Sequence, residues 1–328
     1  MQTSELRDRL QSALGATCRI ERELGGGGMS HVFVANDEAQ QRRVVVKVLS
    51  PELAGTVDGD RFRREIHILT TLHHPGIVPV LGSGPAAPVV YYTMPMIEGD
   101  SLRTVLHRER HLPLEKAVRY ATEIANALAY AHEHNIVHRD IKPDNILIDG
   151  DSAVVLDFGI SKAIERSGDI ESLTATGFTI GTPTYMSPEQ GAAEKHIDGR
   201  SDIYSLACVL YEMLVGEPPF PGTNRRLLIA RHQHSPPPSA RSSRPELPVN
   251  LDQALLKALA KNPADRYDTA AAFADAIRSG APPAAADRTL RDERVKGSNI
   301  KVNVKAAALT ALGAVLVVAA IVFARCAP

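Results

Sequence analysis

Short apolar, β-branched runs dominate the chain from residue 18 to about residue 92, and glycine-rich turns separate them. The run at 44–48 is typical of a buried strand. One helical stretch, at about 59–72, interrupts the strands. Its apolar residues recur at the spacing of one helix face, at Phe62, Ile66 and Leu69. The pattern predicts a small, strand-rich lobe with one main helix.

The pattern becomes helical after Met94. Apolar and small residues form one stripe within 118–132, and the stretch 203–214 is apolar on nearly all sides, which predicts a buried helix. A loop rich in Pro and Ser follows, and helical patterning then resumes at 251–259 and 270–277. The second lobe is therefore predicted to be larger and helical.

Composition changes beyond Gly280, and residues 306–324 contain no charge across nineteen positions. As a helix this segment is about 28 Å long, close to the roughly 30 Å of a bilayer's hydrocarbon core. A buried core helix is the alternative. Several Lys and Arg residues within 291–305 precede the segment, whereas only Arg325 follows it, so the globular part is expected in the cytoplasm and the C-terminus outside.

These patterns divide the chain into consecutive segments. The predicted segments are an N-terminal extension at 1–17, a globular domain at 18–280 with lobes at about 18–93 and 97–280, a juxtamembrane linker at 281–305, a transmembrane helix at 306–324 and a short extracytoplasmic tail at 325–328. The whole chain is thus expected to be a single-pass protein of the cell membrane.

Charge and cysteine content exclude several functions. The formal net charge is -1, which gives no basic field for nucleic acid, so no nucleic-acid partner is expected. The three cysteines, Cys18, Cys208 and Cys326, are too few and too scattered for a disulfide framework or a four-ligand zinc site. They are interpreted as structural thiols of a reducing compartment.

A glycine-rich run lies between the first two predicted strands. It consists of Gly25, Gly26, Gly27 and Gly28, which follow Leu24 and precede Val32. Glycine lets backbone amides approach phosphate oxygens closely. Four consecutive glycines are equally compatible with a loose hairpin.

Lys47 ends the apolar run of the third strand, where an ammonium group is poorly solvated unless it meets an anion. A lysine on an edge strand is the alternative. Glu65, on the predicted helix that follows, is a candidate partner, although it could equally lie on a solvated helix face.

The loop His138–Asn145 combines a carboxylate, Asp140, with the cation Lys142 and the amide Asn145. About a dozen residues further on, a strand-like run ends in Asp157, followed by Phe and Gly. Phosphoryl transfer needs a carboxylate that orients the hydroxyl, cations that neutralise charge, and oxygen ligands for a metal. Asn145 and Asp157 are of the types that could hold Mg²⁺.

The order and spacing of these motifs resemble the eukaryotic-like, or Hanks-type, protein kinase family, from about residue 18 to residue 277. The chain is most similar to the bacterial transmembrane serine/threonine-protein kinases, since it combines HRDIKPDN with a Gly-Gly-Met loop and the string GTPTYMSPEQ. The resemblance implies an α+β fold with two lobes, a small antiparallel β-sheet N-lobe with one main helix and a larger helical C-lobe, followed here by the C-terminal transmembrane helix. It also implies ATP and Mg²⁺ as cofactors, with Mn²⁺ as an alternative metal.

The resemblance assigns roles to the residues that match the motifs. It implies that Asp140 accepts the substrate hydroxyl proton, that Lys142 steadies the γ-phosphate, and that Asn145 and Asp157 hold Mg²⁺. Lys47 would contact the α- and β-phosphates, oriented by an ion pair with Glu65. The remaining nucleotide contacts are expected from Leu24, Val32, Met94, Met96 and the glycines Gly25 to Gly28. Structural support is expected from a Glu189–Arg266 pair and from Asp202.

Regulation is expected on the segment after Asp157. Arg139 could engage a phosphate bidentately, and Thr174 and Thr176 are the candidate carriers, although both could be plain polar loop residues. The expected partners are ATP, Ser/Thr-containing protein substrates, the lipid bilayer and a second copy of the chain, with Ala307 and Ala311 on one face of the span.

Two other functions compete with an active protein kinase. A membrane-tethered pseudokinase would act as a binding module, but Lys47, Glu65, Asp140, Asn145 and Asp157 are all present. A small-molecule phosphotransferase should lack the peptide-presenting segment at 181–189. We therefore predict an ATP-dependent serine/threonine protein kinase that acts in membrane-associated signalling.

Overall fold

Five antiparallel strands form the sheet of the first lobe. They are β1 (Cys18–Gly27), β2 (Ser30–Asp37), β3 (Arg42–Leu49), β4 (Gly82–Ser83) and β5 (Tyr91–Pro95), in the order β1-β2-β3-β5-β4. The computed structural model describes residues 3–27, 30–55, 57–84, 89–160 and 183–280. The predicted strand-rich N-lobe is confirmed within these residues.

Both faces of this sheet are covered. Helix α3 (Gly59–Leu69) buries Phe62, Ile66 and Leu69, the three residues predicted to face the core. The helix ends three residues earlier than predicted, because the N–H groups of Thr71 and Leu72 donate to carbonyls three residues back, at Ile68 and Leu69, instead of four. A short helix α2 (Pro51–Ala54) precedes α3. The N-terminal extension, for which no element was predicted, forms α1 (Thr3–Leu14).

The second lobe is helical, as predicted. Its helices are α4 (Leu102–Glu109), α5 (Leu114–Glu133), α6 (Pro188–Gly191), α7 (Gly199–Val215), α8 (Arg225–His234), α9 (Val249–Ala258) and α10 (Ala270–Gly280). Every residue of α7 from Ser201 to Leu214 is buried. The helix ends at Gly216, whose φ of 95° is a left-handed conformation that glycine adopts without strain. α5, α9 and α10 pack around α7.

A small three-stranded sheet lies where the two lobes meet. It consists of β6 (Asp100–Ser101), β7 (Ile146–Asp149) and β8 (Ser152–Val155). Val155 donates its N–H to the Gly76 carbonyl at 2.9 Å, and its carbonyl accepts from Val78 N–H at 2.9 Å. One hydrophobic core runs from α3 through this junction to α10. The segments on either side of β7 and β8 are therefore held between the lobes.

Among the helices of the described ranges, none combines the length and apolarity that crossing a bilayer requires. The predicted span at 306–324, the linker at 281–305 and the tail at 325–328 lie outside those ranges.

Candidate active site

The glycine-rich hairpin lies at one end of the N-lobe sheet. β1 and β2 pair as far as Gly27 and Ser30, while Gly28 lies outside the described residues. Gly25 has a φ of 151°, which disfavours a side chain, and a Cβ on Gly26 would lie 2.9 Å from His31 Nδ1. A side chain at Gly25 would therefore be strained, whereas one at Gly26 would require only that the His31 ring move aside. Leu24 is 46% exposed and Val32 is half-buried, so neither belongs to the packed core.

The loop between α5 and β7 gathers three of the predicted residues around one carboxylate. Lys142 Nζ donates to Asp140 Oδ2 at 2.7 Å. Asn145 Nδ2 donates to the same oxygen at 3.0 Å and to the Asp140 carbonyl at 2.8 Å. A short 3-10 turn at Pro143–Asn145 brings the amide back toward Asp140. The loop therefore places a carboxylate, a cation and an amide oxygen within a few ångströms of one another.

Asp202, at the start of α7, holds this loop from beneath. Its carboxylate accepts the backbone N–H groups of His138 and Arg139, each at 2.8 Å, and His132 Nε2–H at 2.8 Å. Arg139 has a φ of 69°, which is unfavourable for a non-glycine residue, so these bonds stabilise a strained turn. Burial would raise the pKa of Asp202, but the hydrogen bond and charge of His132 outweigh it and lower that pKa.

Asp157 follows β8 and is the meeting point of both lobes. Its Oδ2 lies 2.5 Å from Lys47 Nζ, and its Oδ1 accepts from Tyr92 Oη at 2.7 Å. Burial favours the neutral acid, yet the Lys47 charge and the two hydrogen bonds outweigh it, so the pKa of Asp157 is lowered and the carboxylate is ionised. The same environment raises the pKa of Tyr92.

Phe158 anchors this segment to the loop that carries Asp140. Its ring packs edge-on against the His138 ring, with 4.8 Å between centroids. His138 Nε2–H in turn donates to the Leu156 carbonyl at 2.7 Å, and its Nδ1 accepts the Asp140 N–H at 3.2 Å. The histidine thereby links Asp140 to the residues that flank Asp157.

The predicted ion pair between Lys47 and Glu65 does not occur among the ion pairs of the described residues. Lys47 pairs instead with Asp157. The physical reason is that the Asp157 carboxylate is only 11% exposed and faces the Lys47 ammonium directly, so each charge needs the other. Glu65 lies half-buried on α3, the helix on the side of the sheet toward which Lys47 points.

The predicted hinge residue Met96 has its backbone N–H engaged within the sheet. The Met96 N–H donates to the Arg43 carbonyl at 3.3 Å, so it faces β3 rather than a ligand. Backbone groups of successive strand residues point to opposite sides. Thr93 confirms this alternation, because its carbonyl faces away from β3 and accepts Leu81 N–H. Pro95, two residues after Thr93 and not selected by the sequence analysis, therefore directs its carbonyl away from β3, and the side chain of the neighbouring Met94 is buried.

The oxygen atoms present suit Mg²⁺ bound together with a triphosphate. No set of three or more His, Cys, Asp or Glu side chains in the described ranges could form a metal site alone. Mg²⁺ usually takes one or two protein oxygens plus phosphate oxygens and waters. Asn145 uses its Nδ2 atom toward Asp140, which leaves its amide oxygen for a cation, and the ionised Asp157 supplies the carboxylate.

Comparison with known proteins decides the family. A family model described as "Protein kinase domain" matches residues 18–276. The chain belongs to the protein kinase family. Serine/threonine-protein kinase PknB of Mycobacterium tuberculosis is 45% identical over 273 residues, which cover 80% of this chain and 43% of PknB. The probable serine/threonine-protein kinase SCO3848 of Streptomyces coelicolor is 39% identical over 263 residues, which cover 78% of this chain and 39% of that relative.

Solved structures agree with this assignment. The crystal structure of a mutant PknI kinase domain from Mycobacterium tuberculosis superposes with a TM-score of 0.64 and 29% sequence identity, and the match covers 83% of this chain and 99% of that one. Together with the serine/threonine-protein kinase relatives, this match shows that the kinase domain of the present chain is of the bacterial serine/threonine type. The chain spans less than half the length of the curated relatives it matches.

After Ile160 the described residues resume at Pro183, within the segment that was predicted to present the peptide. Tyr185 Oη donates to Glu212 Oε2 at 2.5 Å, and Arg103 contacts both side chains. Gln190 Nε2 donates to the Arg139 carbonyl at 2.7 Å, which joins the segment to the loop of Asp140. The sequence analysis did not predict the contacts among Arg103, Tyr185 and Glu212, although Tyr185 lies in the GTPTYMSPEQ string, because the three residues lie far apart along the chain.

Two further predictions concerned a buried ion pair and the residues of a regulatory phosphorylation site. Arg266 forms two parallel hydrogen bonds with the buried Glu189, at 2.7 and 2.8 Å. Thr174 and Thr176 lie outside the described residues. Arg139 lies in the loop held by Asp202, on the chain segment next to Asp140.

Proposed function

We propose that this chain transfers the γ-phosphoryl group of ATP to serine and threonine hydroxyls of proteins. One observation carries the proposal, namely that Asp140, Lys142 and Asn145 form one hydrogen-bonded cluster while Asp157 pairs with Lys47 across the cleft. These are the carboxylate, cations and metal-binding oxygens that phosphoryl transfer requires.

The reaction assigns each side chain a task. The bond from the γ-phosphorus to the bridging oxygen of ADP breaks, while a new bond forms to the substrate oxygen. Asp140 orients the hydroxyl and accepts its proton. Lys142, 2.7 Å from Asp140, places positive charge beside the transferred group. Lys47 binds phosphate oxygens, and Asn145 and Asp157 would hold Mg²⁺, which neutralises charge on the phosphates.

The direct test uses the purified full chain with radiolabelled ATP, Mg²⁺ and a generic basic protein. We expect label on the chain itself and on the added protein, on serine and threonine. Asp140→Asn should abolish transfer, whereas Asp149→Asn, at the exposed end of β7, should leave it unchanged. Nucleotide binding without transfer under all activating conditions would favour the pseudokinase, and label only on a small metabolite would favour the small-molecule phosphotransferase.

The transfer reaction is expected to depend on a divalent metal ion, because of the oxygen atoms that the site offers as ligands. Oxygen-only ligands from Asn145 and Asp157 suit Mg²⁺, with Mn²⁺ as the alternative. Chelation should stop transfer, and readdition of either ion should restore it. Asn145→Ala should raise the Mg²⁺ concentration needed for half-maximal rate.

Activation is proposed to involve autophosphorylation at Thr174 or Thr176. A phosphate there would pair with the Arg139 guanidinium and order the segment that presents the peptide. Phosphosite mapping of the wild type against Asp140→Asn tests this. A Thr174→Ala, Thr176→Ala double variant with wild-type activity would contradict it.

A membrane location is proposed from the uncharged stretch at 306–324 and the basic residues before it. The kinase domain would then lie in the cytoplasm, near lipid and near other copies of the chain. Membrane fractionation of cells that express the chain with and without residues 306–324 tests the location. Equal amounts of both forms in the membrane fraction would contradict it.

A further inference from the structure

Helix α1 precedes the part of the chain that matches the kinase family, yet it is built into the N-lobe. Leu6 and Leu10 are almost fully buried. They pack in a cluster on the outer face of the sheet with Ile20, Phe33, Ala35, Val44, Val46, Val48, Val89 and Tyr91. Since the side chains of β3 alternate between faces, Lys47 lies on the opposite face from α1.

Gln11 of α1 pairs with the free edge of the sheet. β1 is an edge strand, so the backbone groups on its outer side have no strand partner. Gln11 Oε1 accepts the Ile20 N–H at 2.9 Å, and Gln11 Nε2 donates to the Cys18 carbonyl at 3.0 Å and the Gly15 carbonyl at 3.1 Å. The side-chain amide thus takes the place of a neighbouring strand at the base of β1.

The part of β1 that follows the two residues bound by Gln11, Cys18 and Ile20, is irregular. Its register against β2 shifts between Ile20 and Arg22 and again between Glu23 and Gly25. Gly25 is then paired with Val32, and Val32 is paired with Lys47. Because bulges interrupt the ladder, the place of the glycine-rich hairpin relative to Lys47 depends on how the regular base of β1 is held.

We propose that Gln11 is a positioning residue for nucleotide binding. By pairing with Cys18 and Ile20, it holds β1 so that the glycine-rich hairpin and Lys47 lie at the spacing that a nucleotide's phosphates need. Gln11 sets the affinity for ATP and leaves the rate of the transfer step unchanged. This inference rests on the proposed function of the same cleft.

The test is Gln11→Ala in the full chain. KM for ATP and the Kd for MgADP, measured by calorimetry, should rise about threefold to tenfold, the factor that one or two hydrogen bonds contribute. kcat and KM for the protein substrate should stay within about twofold, since Gln11 touches neither reacting group. Hydrogen–deuterium exchange in Cys18–Gly27 should become faster in the nucleotide-free variant, a readout that is independent of activity.

Two further variants separate positioning from general stability. Gln11→Glu keeps the acceptor for Ile20 N–H but places a carboxylate against the Cys18 and Gly15 carbonyls, so it should share the defect. Arg9→Gln removes only an exposed pair with Glu5 and should behave as the wild type. Should Gln11→Ala not fold, Gln11→Met, which has nearly the same volume, is measured in its place.

Unchanged KM, Kd and exchange in both Gln11 variants would overturn the inference. A lower melting temperature with equal losses in kcat for every substrate, but no change in nucleotide affinity, would also overturn it. A wild-type chain that binds MgADP but never transfers phosphate would refute the proposed function instead, and the Kd and exchange measurements would still decide the role of Gln11.

Discussion

Lys47 and Asp157 form an ion pair in which Lys47 Nζ lies 2.5 Å from Asp157 Oδ2. Lys47 is on β3 of the N-lobe and Asp157 follows β8 at the junction, so this contact connects the two lobes across the cleft. The Asp157 carboxylate also accepts a hydrogen bond from Tyr92. The pair keeps a buried carboxylate ionised where Mg²⁺ would need it.

Replacing Lys47 by Met should lower kcat/KM for ATP about 10²-fold to 10³-fold, because a preorganised cation is lost from the phosphate site. The largest effect that opposes the burial of Asp157 would then be lost and the Tyr92 hydrogen bond would remain, so the pKa of Asp157 should rise and the acidic limb of the pH–rate profile should move to higher pH. Lys195→Met, at an exposed position, is the control. A Lys47→Met enzyme with the wild-type pH–rate profile would contradict this account of the pair.

Asp202→Asn should misplace the loop that carries Asp140. An asparagine keeps one acceptor oxygen but cannot accept with its nitrogen, so one of the N–H groups of His138 and Arg139 loses its partner. The free energy of unfolding should fall by about 1–3 kcal/mol. The main kinetic effect should be a lower kcat, with a smaller fold-change in KM for ATP. Urea denaturation and steady-state kinetics measure these changes.

The control for Asp202→Asn is Asp198→Asn at the N-cap of the same helix. Asparagine caps helices about as well as aspartate does, so this variant should keep both stability and rate. Equal effects of the two substitutions would show that α7, and not the carboxylate of Asp202, sets the loop.

The Glu189–Arg266 pair should be important for stability, since breaking a buried pair leaves an uncompensated charge. Arg266→Met should lower the free energy of unfolding by about 3–5 kcal/mol. Asp268→Asn, which breaks the more exposed pair with Arg200, should cost about 0–1 kcal/mol. Denaturant unfolding of both variants checks the difference, and similar costs would refute it.

His232 should make stability depend on pH. Its ring is buried against Tyr204, whose Oη is hydrogen-bonded to His232 Nδ1 at 2.9 Å. Burial, with a smaller effect of Lys261, lowers the pKa of His232 to about 4 from an ordinary value of 6.5. Between these two values the unfolded chain binds a proton that the folded chain does not, so stability falls as pH decreases, by up to about 3 kcal/mol.

The measurement for His232 is the slope of unfolding free energy against pH between about 4 and 6.5, the window set by the folded and unfolded pKa values. His232→Phe should flatten this slope relative to wild type. His234→Phe, at an exposed position of α8, should keep it. An unchanged slope in His232→Phe would refute the assignment.

Several parts of the site were predictable because they depend on neighbours in the sequence. Asp140, Lys142 and Asn145 lie within six positions of one loop, so their convergence needs only a local turn. The inward residues of α3 followed equally from helical spacing. By contrast, the direction in which the Met96 amide faces was not predictable, because it depends on pairing with Arg43 on a neighbouring strand.

The sequence by itself determined the two lobes, the main elements and the types of residue that carry the chemistry, because periodicity and short loops are local properties of the chain. Only the tertiary structure decided the partners across long separations: Asp157 rather than Glu65 for Lys47, Tyr92 beside Asp157, His132 beneath Asp202 and Gln11 at the edge of β1. Such contacts depend on strand register and on helix packing, which bring together residues that no spacing along the chain relates.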